Sequence, residues 1–282
     1  MLINPLTLHL PKTPLEAAKL YKELEDSKVL AGGTFLLNSM KLLKTKGTKT
    51  AKNVLSLSQV LEFRGVTVQG DTLTIKAMTR INELLESPLP EGHLNILHTV
   101  CRNISTNPIR NMATIGGNLT CRYTWTEMGA VMMALDAQMH FLGPDGKEEM
   151  ILPEDFFKNA ARSEKLFTHV TIPIQSSSKA AYRRVKKTIH VDVPMLAVCV
   201  KTDLKGKQWY NTRIGINNGV AFAQRDAALE AFLNQSTSAA DLGEKALEHL
   251  TTAIYDTRSS DYKKHMFRVS LRTAIEEICK SS

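Results

Sequence analysis

The chain is poor in the residues that build independent metal or redox centres. Only four cysteines occur in 282 residues, Cys101, Cys121, Cys199 and Cys279, and none has C-x-x-C spacing. Cluster-ligating thiolates bunch within a few residues, so this scatter excludes an iron-sulfur cluster ligated wholly within the chain. Nor does it offer a secreted-type disulfide framework, and the thiols are expected to be reduced and mostly buried. The eight histidines show neither H-x-H nor H-E-x-x-H spacing, leaving no candidate protein-ligated metal. No apolar run approaches the roughly 18 to 20 residues that cross a bilayer, because Lys, Asp or Glu interrupts each one. The segment Met1 to Pro5 has no basic n-region or apolar h-region, so a cytoplasmic protein is expected. A G-x-G-x-x-G fingerprint is absent, which leaves no Rossmann-type nicotinamide site to locate. Hydrolytic chemistry finds no triad, carboxylate pair or reactive-cysteine setting.

What is present is a chain with 43% hydrophobic and 23% charged residues, enough to bury a core over two or three modest domains. Its net charge of +8 draws attention to Lys41, Lys44, Lys46, Lys49 and Lys52. These follow an apolar helix and carry no interleaved aromatics. They read as a solvated helix end and loop, and no nucleic-acid surface is expected.

Leu6, Leu8 and Leu10 alternate as a strand does, and Thr13-Pro14-Leu15-Glu16 predicts a capped helix to about Asp26. A short strand at Lys28 to Ala31, a turn at Gly32-Gly33 and a helix from Thr34 to Leu43 complete a βαβα unit. Strands are predicted at 66–68 and 72–77 and helices at 81–86 and 91–104. Met128, Val131, Met132 and Leu135 mark a further helix, followed by a hairpin turning at Gly143 to Gly146. The polar segment 175–179 reads as a linker. Beyond it lie strands near 195–200 and 209–216 and helices at 224–233, 240–256 and 261–278. The boundaries expected are 1–56, 57–174 and 175–282.

Two segments combine paired glycines with short hydroxyl or amide residues: Ala31-Gly32-Gly33-Thr34 after a strand, and Thr114-Ile115-Gly116-Gly117-Asn118 ahead of a helix. Glycine permits φ > 0 and close ligand approach, and successive N–H groups form an anion nest. Two such loops suit a pyrophosphate, with Thr34, Thr114 and Asn118 adding hydroxyl and amide hydrogen bonds. Either pair alone is more often only a turn.

These residues resemble a known family, the FAD-binding subunits and domains of the xanthine dehydrogenase and carbon monoxide dehydrogenase type. Ala31-Gly32-Gly33-Thr34-Phe35-Leu36, leading to Met40-Lys41, looks like the family's A-G-G-T-x-L opening. Ile109 to Leu119 looks like its R-N-x-A-T-I-G-G-N signature, and Ala134-Leu135-Asp136-Ala137 resembles L-A-L-D-A. Weaker echoes at 54–57, 156–157, 170–173 and 182–187 extend the likeness over nearly the whole chain. The resemblance implies an α+β, two-subdomain PCMH-type FAD-binding fold with a smaller α+β C-terminal domain. It implies FAD held by Leu30, Ala31, Gly32, Gly33, Thr34, Phe35, Leu36, Ser105, Thr114, Ile115, Gly116, Gly117, Asn118, Glu127, Leu166 and Lys187, with no catalytic acid or base. It also implies separate iron-sulfur and molybdopterin subunits, with electrons leaving to NAD or another acceptor.

The sequence departs from that pattern at several places. Phe35 stands where an acidic or small residue is common, and Glu127 where an aspartate is usual. Its carboxylate is expected to accept hydrogen bonds from cofactor hydroxyls, one methylene further out. Arg122, Tyr123 and Trp125 replace small residues, and in the basic strand Thr188 and His190 replace charged ones, with Asp192 displaced. Two alternatives follow: a flavin-free structural subunit of the same kind of complex, and a self-sufficient flavin oxidase or reductase. Replacing Gly116 or Gly117 by a β-branched residue is expected to abolish FAD binding while sparing the fold.

Overall fold

The computed structural model describes all residues except 1–3, 49, 122, 124–125, 160–163, 192, 218–222, 257–259 and 282. Its N-terminal unit comprises β1 (Thr7–His9), α1 (Pro14–Glu23), β2 (Ser27–Leu30), α2 (Leu36–Thr45) and β3 (Asn53–Ser56). Thr13 caps α1, its hydroxyl accepting from the Glu16 N–H at 3.2 Å. The Glu16 carboxylate reaches back to the Lys12 N–H at 2.7 Å. The three strands are parallel in the order β1-β3-β2, with α1 and α2 as crossovers. Strand β3 was not foreseen. As the central strand it buries Val54, Leu55 and Ser56 in succession, and a strand covered on both faces shows no alternation.

The middle unit runs through β4 (Val66–Gln69), β5 (Thr72–Lys76), α3 (Ile81–Glu86), α4 (Asn95–Asn103), α5 (Asn107–Arg110), α6 (Ile115–Thr120) and α7 (Met128–Ala134). It continues with β6 (Gln138–Leu142), β7 (Glu148–Ile151), α8 (Pro153–Lys158) and β8 (Leu166–Pro173). Its antiparallel sheet has the order β4-β5-β8-β6-β7, so the last strand inserts between the two hairpins.

The third unit is an antiparallel sheet, β12-β11-β10-β9, formed by β9 (Ser178–Val185), β10 (Leu196–Lys205), β11 (Gln208–Asn217) and β12 (Gln224–Arg225). Four helices follow: α9 (Ala227–Leu233), α10 (Leu242–Ala246), α11 (Thr252–Asp256) and α12 (Asp261–Lys280), the last packed with its Phe267, Leu271 and Ile275 in the core. The single helix expected over 240–256 is broken. Buried Asp226 takes the Thr251 N–H at 3.0 Å and its hydroxyl at 2.6 Å, pulling the chain out of helix there.

Segment 175–179 is likewise not a loose linker. Ser178 is fully buried and donates to Asp203, while Gln175 accepts from Lys201 at 3.0 Å. The third unit is clamped to the middle one through α7, all seven residues of which are buried. At Gly215 a Cβ would lie 1.8 Å from the Ala130 carbonyl, so only glycine lets β11 touch that helix. Asp136 then pairs with Arg213 at 2.7 Å across the same junction.

Candidate cofactor cleft between two glycine segments

Residues 31–35 leave the end of β2 and enter α2, and residues 114–118 begin α6. The two segments lie against each other. A Cβ on Gly32 would sit 2.1 Å from the Met112 carbonyl oxygen, and one on Gly117 would sit 3.7 Å from the Ala31 Cβ. Further along, the Phe35 ring meets Tyr123 with centroids 4.4 Å apart and planes inclined by 55°. Residues 31 to 35 thus run beside residues 117 to 123, in contact at both ends.

The glycines serve different purposes. Of Gly32, Gly33, Gly116 and Gly117, only Gly33 has a positive φ, +72°. Gly32 and Gly116 are instead needed for close backbone packing, Gly116 against the Ala77 carbonyl at 2.7 Å from where a Cβ would stand. The expectation that a Cβ at Gly116 would fill cofactor space is therefore corrected.

The two segments also differ in their free donors. In the second, Gly116 and Gly117 lie within the first turn of α6, not in a loop ahead of it. Ile115 N–H donates to Thr79 at 2.9 Å, Gly116 N–H to Ala77 at 2.8 Å and Asn118 N–H to Thr114 at 2.9 Å. Gly117 N–H donates to the Thr114 hydroxyl at 3.1 Å. An anion nest is thus excluded at α6. In the first segment, by contrast, no acceptor among the described residues takes the N–H groups of Gly32, Gly33 and Thr34. Successive free donors around one left-handed residue match an oxyanion. In the second segment, the Asn118 Oδ1 is buried without a partner among the described residues. A buried carbonyl without a donor is costly, so this atom calls for a ligand hydroxyl. Pyrophosphate oxygens for the N–H groups and ribitol or ribose hydroxyls for Asn118 are what FAD carries, and the residues present fit it.

Ser105 is held in a left-handed turn, φ +50°. Arg110 organises this turn: its Nη1 donates to the carbonyls of Arg102, Ile104 and Ser105 at 3.1–3.4 Å, and its Nε to Asn82 at 2.9 Å. Leu30 borders the first glycine segment, its Cδ1 3.0 Å from where a Cβ on Gly33 would stand, and Ala31 packs against the cluster that holds Leu166. Leu166 is buried in a cluster with Leu142, Leu55 and Ala17, and Ile115 in the central core, so their side chains pack within the protein. Leu30 and Leu36 are partly buried at the ends of β2 and α2, and Lys187 is exposed beyond β9. Arg122, Trp125 and Asp192 lie outside the described residues.

Glu127 requires the largest correction. Only 4% of its side chain is exposed, and it accepts from the Tyr182 hydroxyl while the Arg184 Nε lies 2.9 Å away without hydrogen-bond alignment. Both partners come from β9. Burial pushes the Glu127 carboxyl above the usual carboxylate range, against the opposing pull of Arg184 and Tyr182. The carboxylate therefore pins α7 to the third unit. The basic strand of the sequence held the signal for this, since a buried acid needs such a neighbour.

The fold and the paired glycine segments define a flavin-binding chain. The family described as the FAD binding domain in molybdopterin dehydrogenase matches residues 4–175, and the protein belongs to it. It is an FAD-binding oxidoreductase subunit. The carbon monoxide dehydrogenase medium chain of Hydrogenophaga pseudoflava is 33% identical over 150 residues, 53% of this chain and 50% of that one. That of Afipia carboxidovorans is 27% identical over 278 residues, 95% and 94% of the two chains. Among solved structures, reconstituted CO dehydrogenase from Oligotropha carboxidovorans superposes with a TM-score of 0.89 at 26% identity, covering all of both chains.

Proposed function

We propose that this chain is the medium, FAD-carrying subunit of a hetero-oligomeric molybdenum hydroxylase, receiving electrons from an iron-sulfur subunit and passing them to NAD or another acceptor. Three expected units carry this role: 1–56 and 57–174 hold the cofactor between them and 175–282 closes it in. Bound FAD supplies the exchange between one-electron and two-electron transfer. The protein's own part is placement. Gly32, Gly33 and Thr34 offer N–H groups to the pyrophosphate, the Thr114 hydroxyl keeps a proton to donate, and Asn118 accepts from a hydroxyl. Arg110 holds the Ser105 turn in position. Substrate oxidation falls to a separate molybdopterin subunit, in keeping with the match of residues 4–175 to the FAD binding domain in molybdopterin dehydrogenase.

The observation that carries this reading is the meeting of two glycine segments around three free N–H donors and an unpartnered Asn118 carbonyl. The test is co-expression with candidate iron-sulfur and molybdopterin chains, followed by co-purification and anaerobic addition of aldehyde, purine or carbon monoxide. Bleaching of the flavin band only in the assembled complex is expected. Flavin reduction by substrate in the isolated chain contradicts the assignment.

A further inference from the structure

We infer that Asn82 is a positioning residue for the cofactor cleft: acting through α5, it holds the ledge of backbone on which Gly32 rests and so sets where the N–H groups of Gly32, Gly33 and Thr34 point. This rests on the cleft being the FAD site. Asn82 lies in the first turn of α3 and is only 6% exposed. Its amide nitrogen donates to the Asn107 Oδ1 and, at 2.7 Å, to the Asn111 Oδ1, while its own Oδ1 accepts from the Arg110 Nε at 2.9 Å. Residues 107, 110 and 111 are spaced i, i+3, i+4, so one buried amide grips a whole face of α5.

A helix of four residues has a single turn and no propagation to offset its nucleation, so α5 depends on such outside contacts. Arg110 extends the grip, its Nη1 taking the carbonyls of Arg102, Ile104 and Ser105. The residue before Asn82 holds the other end of the stretch, since the Ile81 N–H donates to the Ala113 carbonyl at 2.9 Å. Between these two anchors the backbone meets the first glycine segment. A Cβ on Gly32 would stand 2.1 Å from the Met112 carbonyl oxygen and 2.8 Å from the Ala113 Cα. Packing that close transmits a shift of the ledge into the segment that carries the free donors.

The hydrogen bonds, not the volume, do the holding. An apolar side chain of similar size at position 82 fills the space but leaves the Arg110 Nε without its acceptor and α5 without its donor. Asn107 and Asn111, which are exposed, then turn to water, and α5 loosens. The second segment is anchored separately, because the first turn of α6 is tied to Thr79 and Ala77 through the Ile115 and Gly116 N–H groups. Loss of Asn82 therefore weakens the contacts of the first segment with the cofactor and spares those of Asn118.

The experiment is titration of FAD fluorescence quenching with the full apo-chain. Wild type, Asn82→Leu, Asn82→Asp, Gly33→Ala and Asn118→Ala are compared, together with the two double variants that join Asn82→Leu to Gly33→Ala and to Asn118→Ala. Urea titration shows which chains are folded. Should Asn82→Leu fold poorly, Asn107→Ala with Asn111→Ala, both at exposed positions, loosens α5 in its place. The FAD dissociation constant is expected to rise roughly tenfold in Asn82→Leu. It stays near the wild-type value in Asn82→Asp, which keeps an acceptor for Arg110 and lets the two asparagine amides turn to donate. Gly33→Ala already disturbs the donors at the φ of +72°, so adding Asn82→Leu to it costs little more, whereas with Asn118→Ala the two losses multiply. Losses that multiply with Gly33→Ala, or an unchanged affinity in folded Asn82→Leu, overturn the inference and leave the FAD site standing. A folded wild-type chain that does not quench FAD overturns the FAD-site reading, and the inference falls with it.

Discussion

At the scale of single residues, glutamate and glycine are each read differently once their neighbours are known. Glu127 is a junction group: with Arg184 8% exposed, removing the carboxylate leaves a buried guanidinium uncompensated. Breaking such a pair from one side costs about 3 kcal/mol. Glu127→Gln is therefore expected to lower unfolding free energy by about that much in urea titrations, and Tyr182→Phe by about 1 kcal/mol. A stable Glu127→Gln protein with weakened FAD binding restores the direct cofactor role. The glycines separate in the same way. Gly116→Val drives a side chain into the Ala77 carbonyl and is expected to cost about 3 kcal/mol of stability. Gly117→Val meets only the Thr114 hydroxyl at 3.0 Å and Ala31 at 3.7 Å from its Cβ, so it narrows the cleft. Its expected signature is a nearly unchanged melting temperature with FAD affinity lowered about tenfold or more. Equal losses of stability in the two variants would contradict this division.

At the scale of elements, periodicity and capping residues located most of what was expected. Helix α3 falls at Ile81–Glu86 as predicted, and the hairpin turns at Gly70 and Gly146 fall where glycine was needed for φ of +54° and +80°. The sequence concealed elements whose cause lies elsewhere in the chain. Strand β3 has no alternation because both its faces are covered, α10 and α11 are parted by Asp226 from 25 residues away, and the Ser178 hydroxyl answers the buried Asp203. Of the site, the two glycine segments were legible, whereas the meeting of Phe35 with Tyr123 and of Glu127 with Tyr182 depended on contacts between units.

One element makes a pH prediction. On β6 and β8 the rings of His140 and His169 stack, centroids 4.1 Å apart and planes within 6°. Burial, then His140, then Lys76 lower His169 from 6.5 to about 4. A histidine depressed in the folded state binds its proton more readily when unfolded. Its stabilising contribution is present above about pH 6.5 and is lost as the pH falls toward 4. Discounted for partial exposure, the loss is about 2 kcal/mol. Urea titrations of wild type and His169→Gln at pH 7.5 and pH 4.5 test it: the wild type is expected to lose more stability than the variant, and parallel losses refute the assignment.

At the scale of the whole molecule, three sheets are fastened at two kinds of junction. Between the middle and third units lie a buried helix and ion pairs, namely α7, Glu127 with Arg184, and Asp136 with Arg213. Between the first and middle units, a hydrophobic cluster joins Ala17 and Leu55 to Leu142 and Leu166, and the open donors of the cofactor cleft lie nearby in the chain at 32–34. A rigid junction on one side and a donor-lined cleft on the other suit a subunit that holds one cofactor at a fixed place. The central claim is that this chain binds FAD in that cleft. The measurement is the absorbance spectrum of the folded, purified chain after incubation with FAD and gel filtration. The account predicts one FAD per chain for the wild type and a marked loss for Gly117→Val, and a colourless, correctly folded wild-type chain contradicts it.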